Sequence, residues 1–194
     1  LVKRPAAWPA LYPAAENANF PPRPGIDYPA ARLLDIPATT VSLGKPRDWP
    51  SFGWDNEYGQ RQVSVQAFRA EHTLVSNGAF LEFIQAGGYL DPQWWTEAGW
   101  AWRGFRNSKW PCFWVPEGPA GLHRYRLRTL FETIPMPWNW PAEVNAHEAM
   151  AYCAWRSHRD GVPCRLPTEA EHQALRDAAW ADTDPASRAD GATL

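Results

Sequence analysis

Between Ser51 and Gln60 the chain reads Ser-Phe-Gly-Trp-Asp-Asn-Glu-Tyr-Gly-Gln, placing two acids, two amides and three aromatic side chains in one short stretch. Gly53 and Gly59 admit positive φ, so the segment reads as a tight, ordered loop and not as a helix or strand. Asp55, Asn56 and Glu57 are suited to accept backbone N–H bonds, and Phe52, Trp54 and Tyr58 are expected to bury apolar area around them. Such a loop either builds a wall of a binding site or locks a corner of the fold. Trp54, Asp55, Asn56, Glu57 and Tyr58 are its candidate functional residues.

Other groups able to do chemistry are more scattered. Arg124, Arg126 and Arg128 alternate with Tyr125, Leu127 and Thr129, an arrangement that either clamps a carboxylate or pairs with acids on a neighbouring element. The five histidines lie at least eleven residues apart, so no His-x-x-His or His-x-x-x-His metal spacing occurs, and no metal-ligating residue is assigned. His147 is expected on the surface and His172 in the core. Cys112, Cys153 and Cys164 form an odd set without C-x-x-C spacing, which argues against a disulfide framework or zinc site and for a reducing, cytoplasmic setting. Cys112 and Cys153 read as core residues, whereas Cys164 has Arg165 beside it to favour a thiolate. Neither a Gly-x-Ser-x-Gly turn nor a phosphate-cradling glycine loop is present. No catalytic residue is assigned.

The elements that must position these groups follow from pattern and capping. Thr39–Leu43 and the alternating run Gln62–Phe68 read as strands flanking the loop. Ser76 caps a helix to Gln85, ended by Gly87-Gly88. Asp91-Pro92 opens a second helix carrying Trp94, Trp95, Ala98, Ala101 and Trp102 at helical spacing. Trp110–Val115 reads as a strand. Asn145 and Glu148 make a capping box for a helix whose buried stripe is read as Ala146, Ala149, Met150, Cys153 and Ala154, with Glu148, Arg156, His158 and Arg159 outward. Gly161 ends it, and Thr168 with Glu171 caps a last helix. The tryptophan-rich stretch from Trp94 to Trp114 is read either as core packing or as the lining of a pocket for a cation or an aromatic.

Composition narrows the class. Of 20 prolines in 194 residues, half lie in the first fifty, so residues 1–38 read as a Pro-rich linker or arm, with residues 39–194 as the domain proper. Trp8, Tyr12, Phe20 and Tyr28 suit this arm to docking on a surface. Abundant tryptophan with many loops indicates an α+β domain with much irregular structure. A net charge of −2 gives no basic excess for nucleic acid or a membrane surface, and no apolar run approaches a membrane span.

Read together, Val41–Gly44, Asp55–Glu57, Val63–Phe68, Val75–Phe80, Gly87–Tyr89, Val144–Ala149, Ala151–Trp155 and the specific run Arg165-Leu166-Pro167-Thr168-Glu169-Ala170-Glu171 resemble the formylglycine-generating-enzyme/sulfatase-modifying-factor domain. The resemblance implies a C-type-lectin-like fold, here incomplete at its C-terminus. Gly53-Trp54-Asp55-Asn56-Glu57-Tyr58-Gly59 is further similar to the sulfoxide synthases of thiol-histidine biosynthesis, in particular the ovothiol branch (5-histidylcysteine sulfoxide synthase), a sister of the ergothioneine branch. That likeness implies C–S bond formation between cysteine and histidine with O2 at nonheme Fe(II). The iron would be held by a His-x-x-x-His-x-Glu motif of a DinB-like domain in the same polypeptide, and nothing in these residues matches that motif. This chain alone is therefore expected to be inactive, with substrate contacts beyond Leu194 and, in the ovothiol branch, a methyltransferase domain after it. A copper-dependent formylglycine-generating enzyme and a noncatalytic lectin-like binding module are the alternatives.

Overall fold

A computed structural model describes residues 20–181, apart from the side chains of residues 120 and 179–181. Among the described residues, seven short strands and four α-helices divide between two compact units. One unit holds the described residues up to Ala31 together with Thr73–Leu166; the other holds Arg32–His72 and the described residues from Pro167. Trp8 and Tyr12 lie outside the described residues.

The second unit is built on an antiparallel ribbon. Strand β1 (Leu33–Ile36) pairs with β4 (Phe68–Glu71), and β2 (Thr39–Leu43) pairs with β3 (Arg61–Val65). Ile36 faces Phe68 and Thr39 faces Val65, so the same register continues across the break between the two pairs. The sequence predicts one strand over Gln62–Phe68; two are found. Pro37, which this register sets opposite Ala67, has no N–H to donate to a ladder, and the pairing lapses there. Helix α4 (Glu169–Ala181) covers one face, where Ala170 and Ala174 meet Ile36, Val41 and Val65. Small helical residues let the two backbones approach closely. The capping box forms as read: Thr168 N–H donates to Glu171 Oε2 at 2.8 Å, and Glu171 N–H donates to Thr168 Oγ1 at 3.2 Å.

The other unit is organised by α1 (Asn77–Gln85) and α3 (Ala146–Asp160), with α2 (Glu97–Arg106) and a sheet of β5 (Trp114–Pro116), β6 (Tyr125–Arg128) and β7 (Thr133–Pro135). Ser76 caps α1, its Oγ accepting from Ala79 N–H. The first-turn donors that a helix leaves unsatisfied find tertiary partners: Asn77 N–H donates to Trp140 O at 2.8 Å and Gly78 N–H to Trp138 O at 2.9 Å. Gly78 lies against Tyr28, and a Cβ there would sit 2.2 Å from its ring. The second predicted helix is divided. Pro92–Trp94 forms a 3-10 turn, and α2 begins afresh after Thr96, whose Oγ1 caps Gly99 N–H. Trp110–Phe113 is not extended; β5 begins at Trp114, and Cys112 is exposed instead of buried.

Helix α3 turns a different face inward from the one the alanines suggest. Glu148, Ala151, Tyr152, Cys153 and Trp155 are buried, while Ala146, Met150 and Ala154 are exposed. Spacing fits both stripes, and the larger aromatic area of Tyr152 and Trp155 decides. Their rings meet Phe83, which also touches Phe80 and Tyr89 and is fully buried. Trp95, within this core, packs against both Trp100 and Trp102, so much of the tryptophan-rich stretch serves packing, while Trp102 and Trp110 also line an open hollow. We expect Phe83→Ala to cost roughly 3–5 kcal/mol of stability, measured by urea denaturation. A loss below about 1 kcal/mol would contradict this packing.

Candidate functional site

The candidate loop connects β2 to β3. Its neck is closed by Lys45 N–H donating to Glu57 O at 2.9 Å and Gly59 N–H donating to Lys45 O at 3.1 Å. Gly44 sits in the left-handed region at φ 93°, and a Cβ there would lie 2.3 Å from Gly59 O, so this crossing of two backbones requires glycine. Lys45 then fills the loop from within. Its ammonium donates to Ser51 O at 2.7 Å, Ser51 Oγ at 2.9 Å and Phe52 O at 2.5 Å, using all three protons. Asp55–Glu57 forms one 3-10 turn, held by Glu57 Oε2 accepting from Trp54 N–H at 2.6 Å and Glu57 N–H donating to Trp54 O at 2.9 Å.

The loop is ordered as expected, but its aromatics do not bury. Phe52 is 77% exposed and Trp54 66%, stacked edge to face at 5.1 Å, with Trp49 also exposed nearby in sequence. Asp55 and Asn56 are exposed too, and Tyr58 is half-buried with the Arg47 guanidinium 5.4 Å from its ring centre. The reason is physical: Lys45 and Glu57 satisfy the loop backbone, leaving the rings no interior to enter. Lys45 was missed by sequence reasoning, although its place between Gly44 and Pro46 at the end of a strand is the signal that marks it.

The other unit contains an open hollow of about 1100 Å³, whose lining includes Trp102, Arg106, Lys109, Trp110, Phe113 and Glu148. Glu148 lies at its base and is buried. Glu148 Oε1 accepts from Tyr89 O–H at 2.5 Å, and Oε2 accepts from Asn145 N–H at 3.0 Å. Burial pushes the Glu148 carboxyl above its ordinary value, partly offset by these two donors; burial and the adjacent Glu148 charge push Tyr89 up as well. The sequence reading faced Glu148 outward. The i, i+3, i+4, i+7 set Glu148, Ala151, Tyr152 and Trp155 is the signal that marks its true face.

The remaining candidates are dispersed. Arg126 donates to Thr133 O at 2.9 Å and lies 3.9 Å from Glu117, Arg128 donates to Cys112 O at 2.9 Å, and Arg124 stacks over Phe20 at 5.4 Å. Three separate uses replace a common carboxylate clamp. His147 is half-buried against Trp102, not fully solvated, and His172 is exposed, not core. Cys153 is buried as read, and Cys164 is exposed, its backbone tied to Ser157 Oγ. Among the described residues no three His, Cys, Asp or Glu side chains are grouped to hold a metal, and no helix is long and apolar enough to cross a membrane.

A raised Glu148 pKa means the folded state favours the protonated acid. The stability this contributes is complete below the ordinary value of 4.5 and is lost as pH rises through the folded value. Glu148→Gln, which cannot ionise, should therefore gain in Tm relative to the parent as pH rises above 4.5, on top of a constant loss from one forfeited hydrogen bond. A difference in Tm that stays flat with pH in thermal scans would show that Glu148 ionises as freely folded as unfolded.

Residues 27–181 match the sulfatase-modifying factor enzyme 1-like domain. The chain is 34% identical over 160 residues to a protein named hercynine oxygenase from Mycolicibacterium smegmatis, an alignment covering 81% of this chain and 33% of the relative. A hercynine oxygenase of Mycobacterium tuberculosis is 37% identical over 135 residues, covering 69% of this chain and 28% of the relative. A formylglycine-generating enzyme of Bos taurus is 28% identical over 171 residues, covering 76% and 40%. The chain thus spans about a third of the length of the hercynine oxygenases it matches.

Proposed function

The chain belongs to the sulfatase-modifying factor enzyme 1-like family, and from that premise we propose that it is part of an O2-dependent sulfoxide synthase. The reaction joins the cysteine thiol to an imidazole carbon of histidine, as in ovothiol biosynthesis. One C–S and one S–O bond form, the thiol and ring hydrogens leave, and the second oxygen atom departs as water. The observation that carries this reading is the higher identity to hercynine oxygenases, 34–37%, than to formylglycine-generating enzymes, 28–29%. The Trp-Asp-Asn-Glu-Tyr loop, similar to the sulfoxide synthases as a class, supports a synthase over a formylglycine-generating enzyme. The relatives' own name supports a second reading, in which hercynine replaces histidine.

Nonheme Fe(II), the group this chemistry calls for, does not fit the described residues, since no set of ligands is assembled among them. The reading therefore puts iron on a DinB-like domain of the same polypeptide and makes this chain, inactive alone, part of a C-type-lectin-like domain completed by residues outside it. Residues 1–38 lead from that domain in this arrangement, their later part already built into the fold through Tyr28 and β1, and the enzyme is cytoplasmic. The exposed loop from Trp54 to Tyr58 serves the substrate side. Its rigid neck holds two rings and two carboxylates in one geometry before anything binds, which lowers the ordering cost of recognition.

The test uses the complete parent polypeptide with Fe(II), O2, cysteine and histidine, read by mass spectrometry for a cysteine–histidine sulfoxide. Adduct formation with hercynine and not histidine would select the second reading. No coupling with either, together with conversion of a cysteine peptide to formylglycine, would overturn both. In the parent enzyme, Glu57→Ala frees the Trp54 backbone and should lower kcat/KM by roughly tenfold or more, with stability changed by less than about 1 kcal/mol. Unchanged turnover in both Asp55→Ala and Glu57→Ala would remove the loop from the functional site.

A further inference from the structure

Three polar atoms in the core of the larger unit have no hydrogen-bond partner among the described residues: Asn77 Oδ1, Trp114 Nε1 and Trp138 Nε1. Their side chains are buried, at 1%, 3% and 5% exposure. Such groups are rare in a folded core, because each gives up its bonds to water and receives nothing in exchange. Trp95, in the same core, shows the ordinary solution, its Nε1 donating to Gly88 O at 2.8 Å. The three residues also belong to one region. Asn77 opens α1, and its Nδ2 donates to Pro137 O at 3.0 Å, while Gly78 N–H donates to Trp138 O at 2.9 Å. The rings of Trp114 and Trp138 meet edge to face, 6.2 Å between centres, and Phe80 of α1 lies 6.4 Å from Trp114.

We infer that Asn77, Trp114 and Trp138 form an internal water-binding site. The donor and acceptor roles are fixed. Pro137 O accepts only from the amide nitrogen of Asn77, so the amide cannot be turned round and its oxygen is left to accept. An indole N–H can only donate. The region therefore offers one acceptor and two donors. A cation would meet the two N–H groups and an anion the amide oxygen, so neither suits this set. A water molecule does: it donates one proton to Asn77 Oδ1 and accepts both indole protons on its lone pairs. Three bonds is the usual number for a buried water. Bound there, the water ties the first turn of α1 to β5 and to the segment between β7 and α3. It also accounts for an asparagine and two indole nitrogens at positions where apolar groups alone would pack as well. The inference is independent of the proposed function.

The test is a crystal structure of the complete parent polypeptide at a resolution that shows ordered water. A fully occupied water is expected about 2.7–3.2 Å from Asn77 Oδ1 and from both indole nitrogens. In solution, with isotope-labelled tryptophan, the indole protons of Trp114 and Trp138 should show nuclear Overhauser contacts to a long-lived water. Their signals are identified by loss in Trp114→Phe and Trp138→Phe. The Trp95 indole, bonded to Gly88, should show no such contact. Asn77→Leu, which removes the acceptor, should abolish the contact at both indoles. The crystallographic readout needs no variant, so it decides even where a substituted protein does not fold. No water at Asn77 Oδ1 would overturn the inference. So would a direct bond from either indole to that oxygen, a protein group from elsewhere in the polypeptide in the water's place, or a water that reaches Asn77 but neither indole.

Discussion

A buried carboxylate at the start of α3 is the constraint on which the larger unit depends. Glu148 closes the capping box with Asn145 and receives the Tyr89 hydroxyl, so it joins the first turn of α3 to the segment after α1. Placing an acid there is favourable toward the helix N-terminus and costly in burial, and the two donors offset that cost. With Glu148 turned inward, helical geometry sends Ala151, Tyr152 and Trp155 inward after it. Phe83 is then enclosed, and the tryptophans of α2 have a surface to pack on.

The smaller unit follows a different rule. Its ribbon is short of core residues, and its stability comes from register, the close approach of α4 through Ala170 and Ala174, and a loop that satisfies itself. Lys45 is central to that loop because one ammonium answers three acceptors that would otherwise need water. The consequence is a stiff projection with Phe52 and Trp54 outside. Stiffness and exposed aromatic area together are what recognition surfaces use, since rigid rings lose little entropy on contact.

Family membership and these two features fit one picture. A chain that spans a third of its relatives' length offers a hydrogen-bonded loop on one unit and an open hollow on the other.

Much of this was legible in the residues. Ser76, Asn145 with Glu148, Thr168 with Glu171, and Gly161 mark helix ends by local hydrogen bonding, and local rules need no tertiary information. The tight turn at Asp55–Glu57 was legible for the same reason. What the sequence left open is which way side chains face. Ala146, Ala149, Met150 and Cys153 form as good a helical stripe as Glu148, Ala151, Tyr152 and Trp155, and only packing against Phe83 and Tyr89 selects between them. Likewise, nothing local distinguishes a Trp54 that buries from one that projects; that depended on whether Lys45 and Glu57 had already satisfied the loop from inside. Capping and turn chemistry are set within a few residues of chain, whereas burial is decided by the element that arrives from elsewhere to exclude the water.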